Sequence, residues 1–482
     1  MTPPTSIPPL WTSADLALAT GGTATAPFTA TSLSIDTRSL EPGALFIALT
    51  DQRDGHDFAS AADAAGASAA LVSRPVTGDG PRLQVPDVLS ALEAMAVAAR
   101  ARSGAVRCAV TGSVGKTSVK EMLAQIFRAT GAAHWPEKSF NNHWGVPLTL
   151  ARMPVETERA VFEIGMSTPG EIAPRSKLVR PLHALITKIA PAHLEGVGSI
   201  EGVADEKADI YAGVEAHGSI LVPADDQFCD RLTAHGQRLA PMAEVFSFGE
   251  SEAATSRVTG YDSDGLGARI TITLSGTRAT VPIRAVGEHW ASNVAAALLV
   301  AWRTGISVTD AADALAGYNP PPGRGTAETL TLPGGGEALL VDDAYNANPE
   351  SMRAALDALK ARPGTRKLAA LGEMLEIGPG SDKAHAGLAA SIEGADIASV
   401  FLAGAAMGAL DAALPAAVDR QYTDNVSALH DVVKNALKPG DTLLIKGSNA
   451  SGMGALVKEL RNWSQYNKAA VMEAGQNAPR GV

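Results

Sequence analysis

The chain of 482 residues carries 51 acidic and 40 basic side chains, is 46% hydrophobic and contains two cysteines. Its length predicts roughly three domains at about 150 residues each, its acidic balance argues against a nucleic-acid partner, and its cysteines lack metal-type spacing. No apolar run approaches the ~20 residues of a membrane span, and the first residues lack the basic and apolar regions of a signal peptide. We therefore expect a cytoplasmic protein without membrane insertion, with a monomer as the default state.

The first part of the chain predicts a small α/β domain. From Ala44, the run ALFIAL, the segment DQRDGHDF, an alanine-rich helix and the run ASAALV indicate strand, loop, helix and strand. The Pro- and Gly-rich segment SRPVTGDGPRLQVP follows, and then an amphipathic helix around Val88–Arg102. We place the first domain boundary there, so that residues 1–86 form the N-terminal domain.

A glycine loop follows the predicted strand VRCAV, and a predicted helix that ends at Gly131 comes after it. Strand, glycine loop, lysine, hydroxyl and helix is the order of a phosphate-binding loop, although Val110 replaces the first glycine of G-x-x-x-x-G-K-[ST]. A plain turn between strand and helix does not need Gly-Lys-Thr, so we predict that a nucleotide binds here. The loop residues are Thr111, Gly112, Ser113, Val114, Gly115, Lys116, Thr117 and Ser118.

Four residues of this region are candidates for binding Mg²⁺ or nucleotide, each with a plainer alternative. Thr117 would place its hydroxyl on Mg²⁺ at the helix N-terminus. Glu163 ends the strand-like run RAVFE, either as a carboxylate that helps to hold Mg²⁺ or as a solvated strand-end acid. His193 follows another strand, where a histidine is more often a structural loop residue than a ligand. Asn293 would form hydrogen bonds with the edge of an adenine base. Alternatively, it would cap a helix or form part of a turn.

Lys207 is the sharpest local anomaly. Val203, Ile210 and Val214 have the spacing of an apolar helical stripe, and Lys207 falls on that stripe. A lysine in such a position usually extends its amine to solvent. The alternative is an amine of lowered pKa that reacts with CO₂ or acts in catalysis. Judged by the local residues, the first interpretation is the better one.

The last part of the chain predicts a parallel, Rossmann-like sheet. The Pro-rich segment YNPPPGRGT marks a second boundary, which gives a central domain at 87–320 and a C-terminal domain at 321–482. After it, the apolar runs ALLVDD, KLAALGEM, ASVFLAG and TLLIKGS alternate with helical stretches. The segment after Trp463 is expected to be a frayed tail.

Three residues of this part are candidates for the site. Arg324 follows the rigid Pro-rich segment, either as a surface charge or as a group that crosses between domains. Asp343 ends a strand and has no evident local duty. Asn348 would cap the next helix, with Pro349 in the first helical position.

Eight motifs, taken in order and spacing, resemble those of the Mur ligases of peptidoglycan synthesis: TGSVGKTS, NNHWGVPLTL, FEIGMSTPGEI, AHLEGVGSIEGVADEK, GEHWASN, PPPGRG, DDAYNANPESM and IKGSNASGM. The shortened glycine loop is that family's form. The resemblance runs from about Ser34 to Leu460 and implies an α/β fold of three domains: an N-terminal UDP-sugar-binding domain, a central ATP-binding P-loop domain with a parallel sheet, and a C-terminal Rossmann-like domain. The last would close over the site and help to bind a dipeptide.

The resemblance implies an ATP- and Mg²⁺-dependent ligase that joins D-alanyl-D-alanine to UDP-N-acetylmuramoyl-tripeptide through an acyl phosphate. In such a reaction the nucleophiles belong to the substrates, which agrees with the lack of an evident Ser-His-Asp or Cys-His pattern. The alternatives are another ligase of the superfamily, of the MurE type or a folylpolyglutamate synthase, and a P-loop NTPase switch. The segment DNPR, associated with the MurE type, is absent.

The resemblance also assigns roles to residues. The implied catalytic groups are Lys116, Lys207, His193 and Arg324. The implied Mg²⁺ site consists of Thr117, Glu163, His193 and Lys207. The implied ATP-binding residues are those of the glycine loop together with Asn293, Arg324 and Asp343. Lys207 matches a carbamylated lysine of the family. The resemblance therefore favours a modified, buried lysine over the amine extended to solvent that the local residues indicated. One departure is Asn449, where many relatives have arginine in K-G-S-R. The implied substrate-binding residues are Asp36, Thr37, Arg38, His56, Asn141, Asn142, Tyr345, Asn346 and Asn348.

Overall fold

The computed structural model describes residues 9–191 and 194–476, which form three large sheets with helices around them and one two-stranded ribbon. Within these residues, no helix combines the length and the apolar character needed to cross a membrane.

The N-terminal sheet has the order β2-β7-β6-β5-β4, with β4 to β7 parallel and β2 antiparallel at the edge. The predicted strand, helix and strand after Ala44 are present, and the segment between the first two contains a 3₁₀ turn at Gly55–Phe58. The helix α3 has the predicted bounds and packs between this sheet and the helix α5 of the next region. The elements are β1 (Trp11–Thr12), α1 (Ser13–Thr20), β2 (Thr23–Ala24), β3 (Thr29–Ala30), β4 (Ser32–Ser34), β5 (Ala44–Ile47), α2 (Ala59–Ala64), β6 (Ala69–Val72), β7 (Arg82–Gln84) and α3 (Val88–Arg102).

The central sheet has nine strands in the order β16-β15-β14-β13-β12-β11-β8-β10-β9. Seven strands are parallel, and the antiparallel strands β15 and β16 extend the sheet at one edge. Helices α4, α10 and α11 cover one face, and α5, α6, α8 and α9 the other. The elements are β8 (Val106–Thr111), α4 (Lys116–Thr130), β9 (Ala133–His134), α5 (Gly145–Ala151), β10 (Arg159–Glu163), α6 (Ile172–Val179), β11 (His183–Ile186), α7 (Leu194–Val197), α8 (Ile200–Ala208), β12 (Ser219–Pro223), α9 (Cys229–Leu239), β13 (Glu244–Gly249), β14 (Ser256–Ser263), β15 (Ala268–Leu274), β16 (Thr277–Ile283), α10 (His289–Arg303) and α11 (Val308–Leu315).

The C-terminal sheet has the order β17-β18-β22-β19-β20-β21, and all its strands except the edge strand β17 are parallel. The four predicted apolar runs are β18, β19, β20 and β22, so the Rossmann-like prediction is confirmed. The elements are β17 (Thr326–Thr331), β18 (Glu337–Asp343), α12 (Pro349–Ala361), β19 (Lys367–Gly372), α13 (Ser381–Ala386), α14 (Ala389–Gly394), β20 (Ser399–Ala403), α15 (Gly408–Ala413), β21 (Arg420–Thr423), α16 (Leu429–Ala436), β22 (Thr442–Lys446) and α17 (Met453–Gln476).

The expectation of a frayed tail after Trp463 is wrong for residues 464–476, because helix α17 continues to Gln476, and the last part of the tail lies outside the described residues. Two polar side chains of this extension bind the end of the edge strand β17. Thr331 donates its backbone N–H to Ser464 Oγ at 2.8 Å, and Asn467 Nδ2 donates to the Thr331 carbonyl at 3.0 Å. The helix therefore satisfies backbone groups that an edge strand would otherwise leave to water.

Candidate active site

The glycine loop connects β8 to α4, as predicted, and presents the N-terminus of a 15-residue helix. Gly115 caps this helix with φ at 87°, and a Cβ there would lie 2.7 Å from Asn293 Oδ1, so a side chain would be both strained and in collision. Asn293, buried on α10, therefore lies directly against the loop. Backbone N–H groups and the helix dipole make such a loop suited to binding phosphate.

Lys116 lies over the loop and donates from Nζ to the Gly112 carbonyl at 2.7 Å. Burial lowers the pKa of Lys116; the Glu163 carboxylate opposes this effect, and the Arg324 guanidinium adds to it. The structure therefore brings charges from the loop, from strand β10 and from the interdomain linker within electrostatic range of one another. Such a group can neutralise a transferring phosphoryl group.

Glu163 is 2% exposed and is held by two donors. Thr117 Oγ1 donates to one carboxylate oxygen at 2.8 Å, and Asn141 Nδ2 donates to the other at 2.9 Å. This places a hydroxyl and an oriented carboxylate beside the phosphate loop, as the chemistry of Mg²⁺ requires. The described residues contain no cluster of three or more acidic, histidine or cysteine side chains around a metal position. Mg²⁺ shared with nucleotide phosphates does not need such a cluster, so the residues present fit this ion.

Lys207 lies at the end of α8 and is 1% exposed, so the local expectation that its amine reaches solvent is wrong. The predicted stripe is also not one helix, because α8 ends at Ala208 and a 3₁₀ turn follows. Burial lowers the pKa of Lys207 well below its usual range, the Lys116 charge adds to this, and Glu206 opposes it. Lys207 therefore lies close enough to Lys116 for the two charges to interact.

Glu206 explains how the end of α8 is fixed. Its carboxylate accepts hydrogen bonds from three successive backbone N–H groups at the start of α6, those of Gly170, Glu171 and Ile172, at 2.7, 3.0 and 3.1 Å. An acidic side chain at a helix N-terminus is stabilising. The neighbouring Lys207 is thus attached to a rigid part of the backbone. His193 lies outside the described residues, and its role stays a prediction.

On the C-terminal side, Arg324 stacks on the ring of Tyr345 with 4.3 Å between the guanidinium carbon and the ring centroid. Asp343 Oδ2 accepts a hydrogen bond from Lys446 Nζ at 2.7 Å, and the same amine donates to the Asn346 carbonyl at 3.0 Å. Burial raises the pKa of Asp343, which Lys446 opposes. Tyr345 and Asn346 are exposed beside this pair.

Asn348 serves as the N-cap of α12, since its Oδ1 accepts the Ser351 N–H at 2.8 Å, and Pro349 follows it. The predicted capping role is confirmed. Asn142 has a similar local role, because its Oδ1 accepts the Gly145 N–H at 2.8 Å at the start of α5.

The N-terminal candidates form two separate groups. Arg38 is exposed and lowers the pKa of Asp36 to about 2, and Lys138, from the loop that carries Asn141, contributes to this shift. Half-buried Thr37 lies between the two. His56 is buried instead: its Nδ1 lies 2.6 Å from Asp54 Oδ1, and its Nε2 accepts the Ser73 N–H at 2.9 Å. Both ring nitrogens are thus engaged within the N-terminal domain.

Comparison with known proteins identifies the family of this chain. Three family models match in order: "Mur ligase family, catalytic domain" over residues 29–129, "Mur ligase middle domain" over 110–301, and "Mur ligase, glutamate ligase domain" over 330–449. The UDP-N-acetylmuramoyl-tripeptide--D-alanyl-D-alanine ligase of Escherichia coli K12 is 35% identical over 90% of this chain and 95% of its own length. The chain belongs to the Mur ligase family.

Further relatives of this Mur ligase carry the same description. The enzyme so named from Bacillus subtilis is 34% identical over 89% of this chain and 92% of its own. The crystal structure of MurF from Acinetobacter baumannii superimposes with a TM-score of 0.81 at 26% identity, and covers 93% of this chain and 98% of its own. The predicted family and three-domain α/β architecture are confirmed, while the domain limits at 86/87 and 320/321 stay predictions.

Two contacts of this Mur ligase were not found from the sequence. Lys446 ends β22 and pairs with Asp343 at the end of β18, in the register of two parallel neighbours. Asn141 was assigned to substrate, yet its amide orients Glu163. A lysine and an aspartate at the ends of two apolar runs were a usable signal for the first contact. No signal pointed to the second, which joins a loop to a strand.

Proposed function

We propose that this protein is the ATP-dependent ligase that adds D-alanyl-D-alanine to UDP-N-acetylmuramoyl-tripeptide, giving the pentapeptide precursor of peptidoglycan. The observation that carries the proposal is the convergence of Lys116, Glu163 and Arg324 in a chain whose relatives of that name match it almost end to end. The proposal includes a cytoplasmic location, because ATP and a UDP-linked substrate are anionic and water-soluble. It also keeps the monomer as the default state.

The reaction must activate a carboxylate, because a free carboxylate does not condense with an amine in water. The tripeptide carboxylate would attack the γ-phosphoryl group of ATP and give an acyl phosphate and ADP. Lys116 and Arg324 would neutralise the charge on that group during transfer. Thr117 and Glu163 would hold Mg²⁺, which supplies charge stabilisation at the phosphates when it is bound.

The dipeptide amine would then attack the acyl phosphate, and the tetrahedral intermediate would expel phosphate. Apart from Lys116 and Arg324, the chain contributes mainly position. Exposed Tyr345 and Asn346 lie beside the Asp343–Lys446 pair, where they would meet the dipeptide. The C-terminal domain would exclude the water that hydrolyses acyl phosphates.

The proposal includes a carbamate on Lys207. Carbamate formation needs a neutral amine, and the burial and the lowered pKa of Lys207 favour that form. A neutral amine adds to CO₂ and loses a proton, which gives an anionic carbamate. That anion would convert repulsion from Lys116 into attraction and would supply a second carboxylate oxygen near Mg²⁺.

The carbamate can be tested by chemical rescue. Lys207→Ala should lose activity, and acetate or formate should restore part of it by occupying the vacated space. Lys120→Ala is the matched control, because Lys120 is a fully buried lysine whose Nζ contacts Glu121 and the Pro136 carbonyl. Rescue of neither variant, or of both equally, would count against the carbamate.

The function itself is tested by phosphate release with ATP and Mg²⁺ in the presence of both substrates, and then with each omitted in turn. Release that needs both, with a pentapeptide product by mass spectrometry, is the expected result. Lys116→Ala should abolish it, because no other group replaces the loop cation. Release that is indifferent to both substrates would show an NTPase switch instead.

A further inference from the structure

A cavity lies between the central and C-terminal domains, close to the residues assigned to ATP. His289, Arg324 and Asp343 line it, together with Arg362. The rest of the lining is mostly aliphatic. The cavity thus combines an aromatic ring, hydrogen-bond donors and an acceptor in apolar surroundings, which are typical of a small-molecule site.

Arg362 is the unexplained member of this lining. It ends α12 as its C-cap residue and is 4% exposed. Its Nη2 donates to the Gly325 carbonyl at 3.3 Å, whereas Nε and Nη1 are buried without a hydrogen-bond partner among the residues that the structure describes. Burial lowers its pKa to about 10. Unpaired N–H groups of a buried guanidinium are costly, and a ligand that accepts hydrogen bonds from them would remove that cost.

The backbone around Arg362 is held at the interface between the central and C-terminal domains. The β14–β15 turn of the central domain packs directly on the end of α12, and a Cβ on Gly265 would lie 2.6 Å from the Ala361 carbonyl oxygen. The C-cap backbone N–H of Arg362 donates to the Leu359 carbonyl. Arg362 is therefore held at the domain interface, where it lines the cavity and keeps two donors without a partner among the described residues.

The position of the cavity relative to the phosphate loop indicates which part of a ligand reaches Arg362. Asn293 touches the loop at Gly115, and His289 lies four residues earlier on the same face of α10. One helical turn, about 5.4 Å, separates the loop from the cavity. A nucleotide with its phosphates on the loop would place its sugar or base there.

We propose that Arg362 is a specificity-determining residue that reads the nucleoside part of ATP, donating from Nε and Nη1 to acceptor atoms of the sugar or base. The proposal rests on the proposed function, because it takes ATP as the ligand. It gives Arg362 no role towards the phosphates, which Lys116 and Arg324 would contact under the proposed function. The nucleoside contribution to binding can therefore be separated from the phosphate contribution.

The test compares binding of Mg²⁺-ATP and of Mg²⁺-tripolyphosphate to the full chain by calorimetry. Arg362→Met should weaken ATP binding by ~10-fold or more, the effect of losing hydrogen bonds from a charged donor, and should change tripolyphosphate binding by less than about twofold. Arg353→Met is the matched control, because Arg353 is an exposed arginine on the same helix. It should leave both affinities within about twofold.

Thermal unfolding without nucleotide separates this role from a structural one. Arg362→Met removes unpaired buried donors, so its midpoint should equal or exceed that of the unchanged protein. The inference would be wrong if Arg362→Met weakened the binding of ATP and of tripolyphosphate equally. It would also be wrong if the variant bound ATP as well as the unchanged protein does. In both cases a protein that performs the ligase reaction would leave the proposed function intact. Failure of the unchanged protein to bind ATP would overturn it together with the proposed function.

Discussion

At the scale of single residues, the site depends on a carboxylate held in one orientation. Glu163 is buried, and Thr117 and Asn141 each donate to one of its oxygens. Groups that orient a metal ligand raise metal affinity because the ligand does not have to be ordered when the ion binds. In the proposed Mg²⁺ site, Asn141 would therefore contribute to binding by orienting Glu163.

We predict that Asn141→Ala lowers the apparent affinity for Mg²⁺ by roughly 10- to 100-fold in a titration of ligase activity. Asn142→Ala is the matched control, because the neighbouring amide accepts a backbone N–H at the start of α5 instead. It should cost about 1 kcal/mol of unfolding free energy, as the loss of a helix cap does, and leave Mg²⁺ affinity unchanged. Equal Mg²⁺ dependence in the two variants would contradict this division of roles.

At the scale of elements, helix α12 connects two parts of the candidate site. The segment that begins at Asp343 leads into its start, and Arg362 lies at its end. Asn348 begins this helix with a capping box, in which Ser351 returns a hydrogen bond to the Asn348 backbone. Both bonds satisfy helix-terminal groups that would otherwise be unpaired. The start of α12 is therefore fixed by two side chains.

We predict that Asn348→Ala lowers the unfolding free energy by about 1 kcal/mol, whereas Asn348→Ser stays close to the unchanged protein, because serine is also a good N-cap. Urea unfolding measures the difference. Equal losses in both variants would show that the Asn348 amide has another partner. A raised KM for the dipeptide in both variants would support the predicted substrate contact in addition to the cap.

The elements that the sequence predicts best are those with both faces covered. Strands β18, β19, β20 and β22 lie inside the C-terminal sheet and read as continuous apolar runs. The edge strands β17 and β21 read TAETLT and RQYT, and such polar segments resemble loops. The extension of α17 was not predicted because it lacks a wide apolar stripe. It binds the edge strand through the polar side chains of Ser464 and Asn467 instead.

The site is predictable only where its chemistry is local in the chain. The loop that contains Lys116 and Thr117 is one contiguous segment, so the sequence alone identifies it as a phosphate-binding loop. Lys446 contacts Asp343 across 103 positions, and their only shared signal in the sequence is that each ends an apolar run. The helix pattern placed Lys207 on an apolar stripe, and an exposed amine was expected only because lysines on such stripes usually reach solvent. Whether this amine does so depends on the packing of α8 against other elements, which the helix pattern does not contain.

At the scale of the whole molecule, the two interdomain contacts differ in kind. The N-terminal and central domains share one buried apolar cluster through α3 and α5, and Trp11 donates to the Ala151 carbonyl at 2.9 Å across it. The contacts between the central and C-terminal domains include the ion pair of Lys188 with Glu350, 2.6 Å apart and 50% and 36% exposed, in addition to the residues around the cavity near Arg324. A polar, half-exposed contact is easier to break than an apolar one, so the C-terminal domain is the one expected to move.

We predict that the Lys188–Glu350 pair favours the closed arrangement of these two domains. Lys188→Glu or Glu350→Lys alone would replace attraction by repulsion and should lower kcat/KM for ATP by roughly twofold to fivefold, the scale of an exposed ion pair. The double exchange should restore most of the loss, because it rebuilds the pair with opposite polarity. Lys177→Glu, a change at an exposed lysine of α6, controls for net charge.

Salt gives a second criterion for this pair, because exposed charges are screened while apolar contacts are not. The losses in both single variants should shrink as ionic strength rises, and small-angle scattering at low salt should show a larger radius of gyration for each than for the double exchange. A double exchange as impaired as the single variants would mean that each residue has its own role. In that case closure would depend on other contacts at this interface, such as those of Arg324 and of the β14–β15 turn.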